Sequence, residues 1–170
     1  MSDVARGVLE RARRVRLMIF DVDGVMTDGS LWYGPRGEEL KRFHAHDGHG
    51  MKMLAAAGVP CAILSSRRSR AVALRATELG IRHLMLGVED KLRAFEKFAK
   101  QQKIPPQRMG YMGDDLIDLP VLERCGFACA PATAPRDVRA GVHYVASAPA
   151  GAGAVREVCE LLLRAQGRRA

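Results

Sequence analysis

Residues 15–29 constrain this 170-residue chain more than any others. Val15-Arg16-Leu17-Met18-Ile19-Phe20 is an apolar run with the branched, bulky composition of a buried strand. It gives way at once to Asp21-Val22-Asp23-Gly24-Val25-Met26-Thr27-Asp28-Gly29. Residues two apart in an extended segment point to the same side. Asp21 and Asp23 are therefore expected to face one space at the carboxyl end of the strand, where open α/β sheets bind ligands. Gly24 and Gly29 let the chain turn sharply away. Two like charges so close need a partner. A hard divalent cation is the usual one, and Mg²⁺ takes one or two carboxylates plus phosphate oxygens. A plain acidic turn would also place Asp beside Gly, but matching polar motifs after later strands tell against it.

Those motifs appear when the chain is taken in order. Ser2 to Arg14 reads as a short helix. Ser30 to Tyr33 and Glu38 to Phe43, around Gly34-Pro35-Arg36-Gly37, read as a β-hairpin. Its apolar Leu31, Tyr33, Leu40 and Phe43 need cover from the domain or from another subunit, because an isolated hairpin is marginal. His44 to Gly50 reads as a loop placing polar groups near a substrate, followed by a helix from Met51 to Ala57 closed by Gly58. Three histidines in that loop also admit a metal-site reading, but zinc sites recruit further ligands and only His83 and His143 remain.

Val59 to Leu64 is the next strand and ends in Ser65-Ser66-Arg67-Arg68; a helix from Ser69 to Leu79 follows, closed by Gly80. Ile81 to Leu86 is a third strand. The helix after it, Asp90 to Gln102, carries Lys91 in its first turn, against the dipole preference. Arg108 to Met112 is a fourth strand and ends in a second acidic cluster, Gly113-Asp114-Asp115-Leu116-Ile117-Asp118. A short helix from Leu116 to Arg124, a strand from Phe127 to Ala130, a helix or turn from Arg136 to Gly141, an edge strand at Tyr144-Val145, a helix from Ala154 to Ala165 and a frayed tail from Gly167 complete the chain. Alternating strands and helices with short connections imply an α/β fold, a doubly wound parallel sheet with helices on both faces. We expect one domain over residues 1–170.

The net charge of +8 raises the possibility of nucleic-acid binding. Against it, Arg and Lys are scattered, with small clusters only at Arg11 to Arg16, Arg67 to Arg70 and Arg164 to Arg169, and aromatic residues are 5% of the chain, too few for a stacking platform. A basic protein equally suits an anionic phosphorylated substrate. No apolar run approaches the roughly 20 residues of a membrane span, and Met1 to Arg16 is charged throughout, unlike a secretory signal. The expectation is a cytoplasmic protein with no nucleic-acid or membrane partner. Cys61, Cys125, Cys129 and Cys159 lack paired zinc-type spacing and are expected to be reduced and structural.

Four strand ends thus supply one kind of chemistry. Asp21, Asp23 and Asp114 could hold Mg²⁺, Ser65 supplies a hydroxyl and Lys91 a cation. Such a set suits a phosphoryl group, whose transfer is mainly positioning plus charge neutralisation. No GxxxxGK[ST] loop is present. A carboxylate can itself be the nucleophile, and a carboxyl two residues along can serve as acid and then base.

DVDGVMTDG, Ser65, Lys91 and GDDLID, in that order, resemble the four motifs of the haloacid dehalogenase superfamily. GEELKRF, DGHGMKML, LGI, the GDDLIDLPV run and GAVREVCELLLRAQG narrow the resemblance to the capless 3-deoxy-D-manno-octulosonate 8-phosphate phosphatases, over residues 10–167. The resemblance implies a Rossmann-like fold with a small β-hairpin in place of a cap domain. It also implies a Mg²⁺-dependent phosphoric monoester hydrolase of lipopolysaccharide precursor synthesis working through an aspartyl-phosphate. Asp21 would be the nucleophile and a metal ligand. Asp23 would be the acid/base and a ligand through its carbonyl, and Asp114 the third ligand. Asp115 and Asp118 would support the metal shell, and Ser65 and Lys91 would bind phosphate. His44, His46, Asp47, Gly48, Lys52, Arg67 and Arg75 match the family's substrate contacts. Hairpin 28–43 would assemble a homotetramer with sites at subunit interfaces. The family pattern has Asn where His44 stands and Arg where His46 stands, often Arg in place of Lys52, and TGR where this chain has Ser65-Ser66-Arg67. These departures fall on the leaving-group side, and a phosphatase of a nonulosonate (sialic-acid-type) 9-phosphate is the alternative.

Overall fold

The structure, a computed structural model, describes residues 3–37 and 39–168. Six strands form one parallel sheet: β1 (Leu17–Phe20), β4 (Cys61–Ser65), β5 (His83–Leu86), β6 (Met109–Met112), β7 (Phe127–Ala130) and β8 (Tyr144–Val145), in the order β5-β4-β1-β6-β7-β8. All four residues of β1 are buried, as befits a central strand covered on both faces. Alternation sends Met18 and Phe20 into one layer, with Met51, Leu54, Val72, Ala76, Val158 and Leu162. Leu17 and Ile19 enter the other, with Phe95, Phe98, Val121, Leu122 and Val138. The first layer is covered by α1 (Asp3–Arg14), α2 (Ala45–Ala56), α3 (Arg70–Leu79) and α7 (Ala154–Ala165), and the second by α4 (Lys91–Gln102), α5 (Leu119–Arg124) and α6 (Arg136–Ala140). This is the expected doubly wound α/β fold. Among the described residues, no helix is long and apolar enough to cross a membrane.

From β1 the chain adds β4 and β5 on one side, then returns to place β6 on the other. The crevice at the carboxyl ends of β1 and β6 is thus the topological switch point. Asp21 follows β1 directly and Asp114 follows β6 after Gly113, and the Asp21 N–H donates to the Met112 carbonyl at 3.0 Å.

The hairpin is present but short: β2 (Trp32–Tyr33) pairs antiparallel with β3 (Glu39–Leu40), Trp32 opposite Leu40 and Tyr33 opposite Glu39. Helix α2 corrects the expected loop. It begins at Ala45, not Met51, with His44 extended before it. Gly48 and Gly50 are tolerated inside it because neighbours occupy their missing side chains' space. A Cβ on Gly48 would stand 2.2 Å from Arg75 Nη2, and one on Gly50 2.9 Å from Arg156 Cδ. Packing overrides the roughly 1 kcal/mol helix penalty of glycine. The expected helix from Leu116 to Arg124 divides into a 3₁₀ turn (Leu116–Asp118) and α5, with Pro120 in the first turn of α5. Ser2, Glu38, Arg169 and Ala170, which fall in the expected helix, hairpin and tail, lie outside the described residues. All four cysteines are free and buried.

Candidate active site

Asp21, Asp23, Ser65, Ser66, Arg67, Lys91, Asp114, Asp115 and Ile117 line one cavity of about 190 Å³ at the switch point. A larger cavity, about 370 Å³ under α2 and α3, is lined by Met51, Cys61, Leu79, Ile81 and their neighbours and has no carboxylate. Chemistry, not size, selects the site.

The floor is built on Asp118, which is fully buried. Its Oδ1 accepts from Lys91 Nζ and from the Tyr111 hydroxyl, each at 2.6 Å. Its Oδ2 accepts the backbone N–H groups of Asp114 and Asp115 at 3.1 and 3.2 Å. Both oxygens are thus occupied, so Asp118 orients its neighbours. Lys91 reaches from the first turn of α4 and is buried, with Nζ 3.2 Å from Asp21 Oδ1. Burial pulls the Lys91 pKa down, but Asp21 and Asp118 outweigh it and leave the group raised and cationic. The residue misplaced for the helix dipole is placed for two carboxylates.

Asp21 is 6% exposed. Burial pushes its carboxyl up to about 7, with Lys91 opposing and Asp118 adding to the rise. Asp114 is also raised to about 7, first by burial and then by Asp21, Asp118 and Asp115. Asp114 Oδ1 is buried with no hydrogen-bond partner. Asp21, Asp114 and Asp118 each offer an oxygen within 4.8 Å of one another. An unpartnered carboxylate oxygen amid mutually repelling carboxylates fits a hard divalent cation. Gly24, at φ +83°, makes room for this cluster: a Cβ there would lie 2.0 Å from Asp114 Oδ2.

Ser65, at the end of β4, is buried, and its Oγ accepts the Arg67 N–H at 3.3 Å. Asp115 is exposed and caps its own turn, accepting from Leu116 N at 2.7 Å.

Three comparisons place these residues in context. Residues 79–157 match the model of the haloacid dehalogenase-like hydrolases. A 3-deoxy-D-manno-octulosonate 8-phosphate phosphatase of Yersinia pestis is 44% identical over 97% of this chain and 88% of its own.

The chain belongs to this phosphatase family within the haloacid dehalogenase-like hydrolases.

Solved members share its fold. The Yersinia pestis phosphatase superposes with a TM-score of 0.93 at 43% identity, over 95% of this chain and 88% of that one. The Moraxella catarrhalis phosphatase, solved with a magnesium ion, a phosphate ion and a KDO molecule, superposes with a TM-score of 0.92 at 39% identity, over 94% of this chain and 92% of that one.

Within this family frame, the structure gathers the residues of the four motifs and one substrate candidate, Arg67, into the cavity. It does not bring His44, His46, Asp47, Gly48, Lys52 or Arg75 into the cavity lining. Asp47 is buried and accepts the N–H groups of Gly153 and Arg156 at 3.3 and 2.8 Å, capping α7. Gly48 makes room for Arg75. Arg75 donates to Glu78 at 2.8 Å and to the His44 carbonyl at 3.4 Å and lies over the Phe43 ring. His44 and His46 pack edge to face, and Lys52 is exposed.

Sequence reasoning missed the polar side of the hairpin. Lys41 Nζ contacts Asp23 Oδ1 and lies 2.7 Å from Glu39 Oε1, with its side chain 1% exposed. Arg67 donates to the Tyr33 hydroxyl at 2.5 Å and stands 3.6 Å from Asp23 Oδ2. Strand alternation was the available signal: Glu39 and Lys41 share one side and Leu40, 64% exposed, takes the other. Tyr111 was missed too, since a lone tyrosine in an apolar strand carries no mark of its partner.

Proposed function

We propose that this chain is a Mg²⁺-dependent phosphatase that hydrolyses 3-deoxy-D-manno-octulosonate 8-phosphate to the free sugar acid and phosphate, in lipopolysaccharide precursor synthesis. The observation that carries the reading is one cavity holding a buried Asp21 against Lys91, Asp23 two residues on, and the unpartnered Asp114 Oδ1. Asp21, Asp114 and the Asp23 carbonyl would hold the Mg²⁺, with Asp118 and Asp115 behind them. The ion would supply charge neutralisation for the phosphoryl group and both carboxylates.

The residues divide the work. Lys91 and the Ser65 hydroxyl bind the phosphoryl oxygens. An Asp21 oxygen attacks phosphorus as the bond to the sugar oxygen breaks, and Asp23 gives its proton to that leaving oxygen. Water then attacks the aspartyl-phosphate, Asp23 takes the water's proton, and Asp21 is released as carboxylate with inorganic phosphate. Arg67, on the cavity wall, is the guanidinium suited to pair with the sugar acid's carboxylate.

The whole of residues 1–170 acts as one domain in this reading, with hairpin 28–43 as the element that joins four chains. Leu31, Trp32, Tyr33 and Leu40 support this, exposed at 45–64% on a hairpin too small to be stable alone. The protein is expected to work in the cytoplasm.

The test is phosphate release with Mg²⁺ from the octulosonate 8-phosphate, a nonulosonate 9-phosphate and nitrophenyl phosphate, with Asp21→Asn as control. The proposal expects preference for the first and at least about a thousandfold loss in Asp21→Asn, the order expected when a covalent nucleophile is removed. Preference for the nonulosonate ester would move the substrate assignment, and turnover by Asp21→Asn would sink the mechanism.

A further inference from the structure

The contact between Lys41 and Asp23 crosses 18 positions of sequence and joins the hairpin to the residue that must move protons. A lysine side chain 1% exposed is unusual. Its ammonium sits between two carboxylates, Asp23 Oδ1 and Glu39 Oε1. One carboxylate would be enough to neutralise it. Glu39 supplies that balance, and Glu39 of β3 and Lys41 just after it lie on the side opposite the exposed Leu40. Arg67 stands on the other oxygen, Nε to Asp23 Oδ2 at 3.6 Å, and it lines the cavity. The Asp23 carboxyl is therefore held by two elements far apart in the chain, with Oδ1 tied to the hairpin and Oδ2 turned to the cavity wall.

We propose that Lys41 is a positioning residue: it holds Asp23 Oδ1 so that Oδ2 is the oxygen that gives the proton to the leaving group and later takes it from water. This rests on the phosphatase reading above and adds to it the atom and the residue that orients it. In the first step the bond from phosphorus to the ester oxygen breaks as the bond to Asp21 forms, and the Oδ2 proton goes to the departing oxygen. In the second, water's oxygen bonds to phosphorus, its proton returns to Oδ2, and the bond from phosphorus to Asp21 breaks. No other reactant is needed. Precise orientation matters because misplacing a catalytic group by about 1 Å costs about a hundredfold.

The leaving group separates positioning from mere support of the fold. An alkoxide departing from a sugar phosphate needs the proton, whereas a nitrophenolate departs without it. We therefore compare kcat/KM for the sugar-acid phosphate and for nitrophenyl phosphate in wild-type, Lys41→Met, Lys41→Gln and Lys41→Arg proteins. Lys41→Met is expected to lose about 30- to 100-fold on the sugar ester, with a loss at least about tenfold smaller on the aryl ester. Lys41→Arg, which keeps a cationic donor, recovers most of the difference. In an Asp23→Asn background the Lys41→Met change is expected to cost less than about twofold more, because its effect runs through Asp23. Should Lys41→Met fail to fold, Lys41→Gln carries the same comparison. Parallel losses on both esters, or full additivity with Asp23→Asn, would overturn the inference and leave a hairpin anchor only. A wild-type protein that releases phosphate from neither ester would overturn the phosphatase reading itself, and this inference with it.

Discussion

At the scale of single residues, the site is a balance of charge held away from water. Asp21 and Asp114 both rise from the ordinary 3.8 to about 7, burial being the first cause for each. At these two carboxyls the folded chain therefore binds more protons than the unfolded chain between about pH 4 and 7, and their contribution to metal-free stability falls as pH rises through that window. Mg²⁺ held as proposed above would bind the deprotonated pair and reverse this. Thermal unfolding should show a metal-free midpoint lower at pH 7.5 than at pH 5, and a Mg²⁺-induced rise larger at pH 7.5, the direction set by the raised carboxyls. Gly24 makes the second case. A methyl group there meets Asp114 Oδ2 at 2.0 Å and strains a backbone at φ +83°. Gly24→Ala should weaken Mg²⁺ binding about 10- to 100-fold, as displaced ligand geometry does, while Asp21 stays in place; calorimetric titration with the ion reads this directly, and unchanged affinity would refute it.

At the scale of elements, the helices are tied to the sheet by side chains that cap and clamp. Ser69 caps α3 through Val72 N and Asp90 caps α4 through Arg93 N, each from within its own turn. Asp47 does this across the fold, from the first turn of α2 to the start of α7, whose N-cap position is Gly153 and offers no side-chain cap of its own. Its two partly buried hydrogen bonds hold together two helices that share the first layer. Asp47→Ala should destabilise the protein by about 2–3 kcal/mol. That lowers the midpoint by roughly 5–8 °C for a domain of this size. Asp47→Asn, still an acceptor, should lose less than half as much. If Asp47 instead served substrate directly, Asp47→Ala would raise KM with the midpoint unmoved.

At the scale of the whole molecule, the hairpin has two unlike sides. Glu39 and Lys41 face the site, while Trp32 and Leu40 pair across the outer surface at 62% and 64% exposure. Apolar groups so placed, with Arg42 beside them, suit burial against another chain better than contact with water. Trp32→Asp is expected to yield monomers in sedimentation velocity where the wild type assembles. Because Lys41 neighbours the assembly surface, the monomer should also lose at least about tenfold in kcat/KM on the sugar ester, on the positioning scale above. A Trp32→Asp protein that sediments with the wild type would refute the assembly role of the hairpin.

The sequence alone determined the order of strands and helices, down to the bounds of β7 and α7, because long apolar runs and periodic stripes are local signals. It also placed Asp21, Asp23, Ser65, Lys91 and Asp114 at four strand ends along one edge, because a parallel sheet gathers its carboxyl ends there. Only the tertiary structure decided what lies around them. Helix α2 could start at Ala45 only once Arg75 and Arg156 filled the space beside its glycines. Asp47 became a cap, and Lys41 a neighbour of Asp23, through contacts spanning 109 and 18 positions. A charge or a glycine reads the same in sequence whatever it meets. Its role is set by the burial and the partners that folding brings to it.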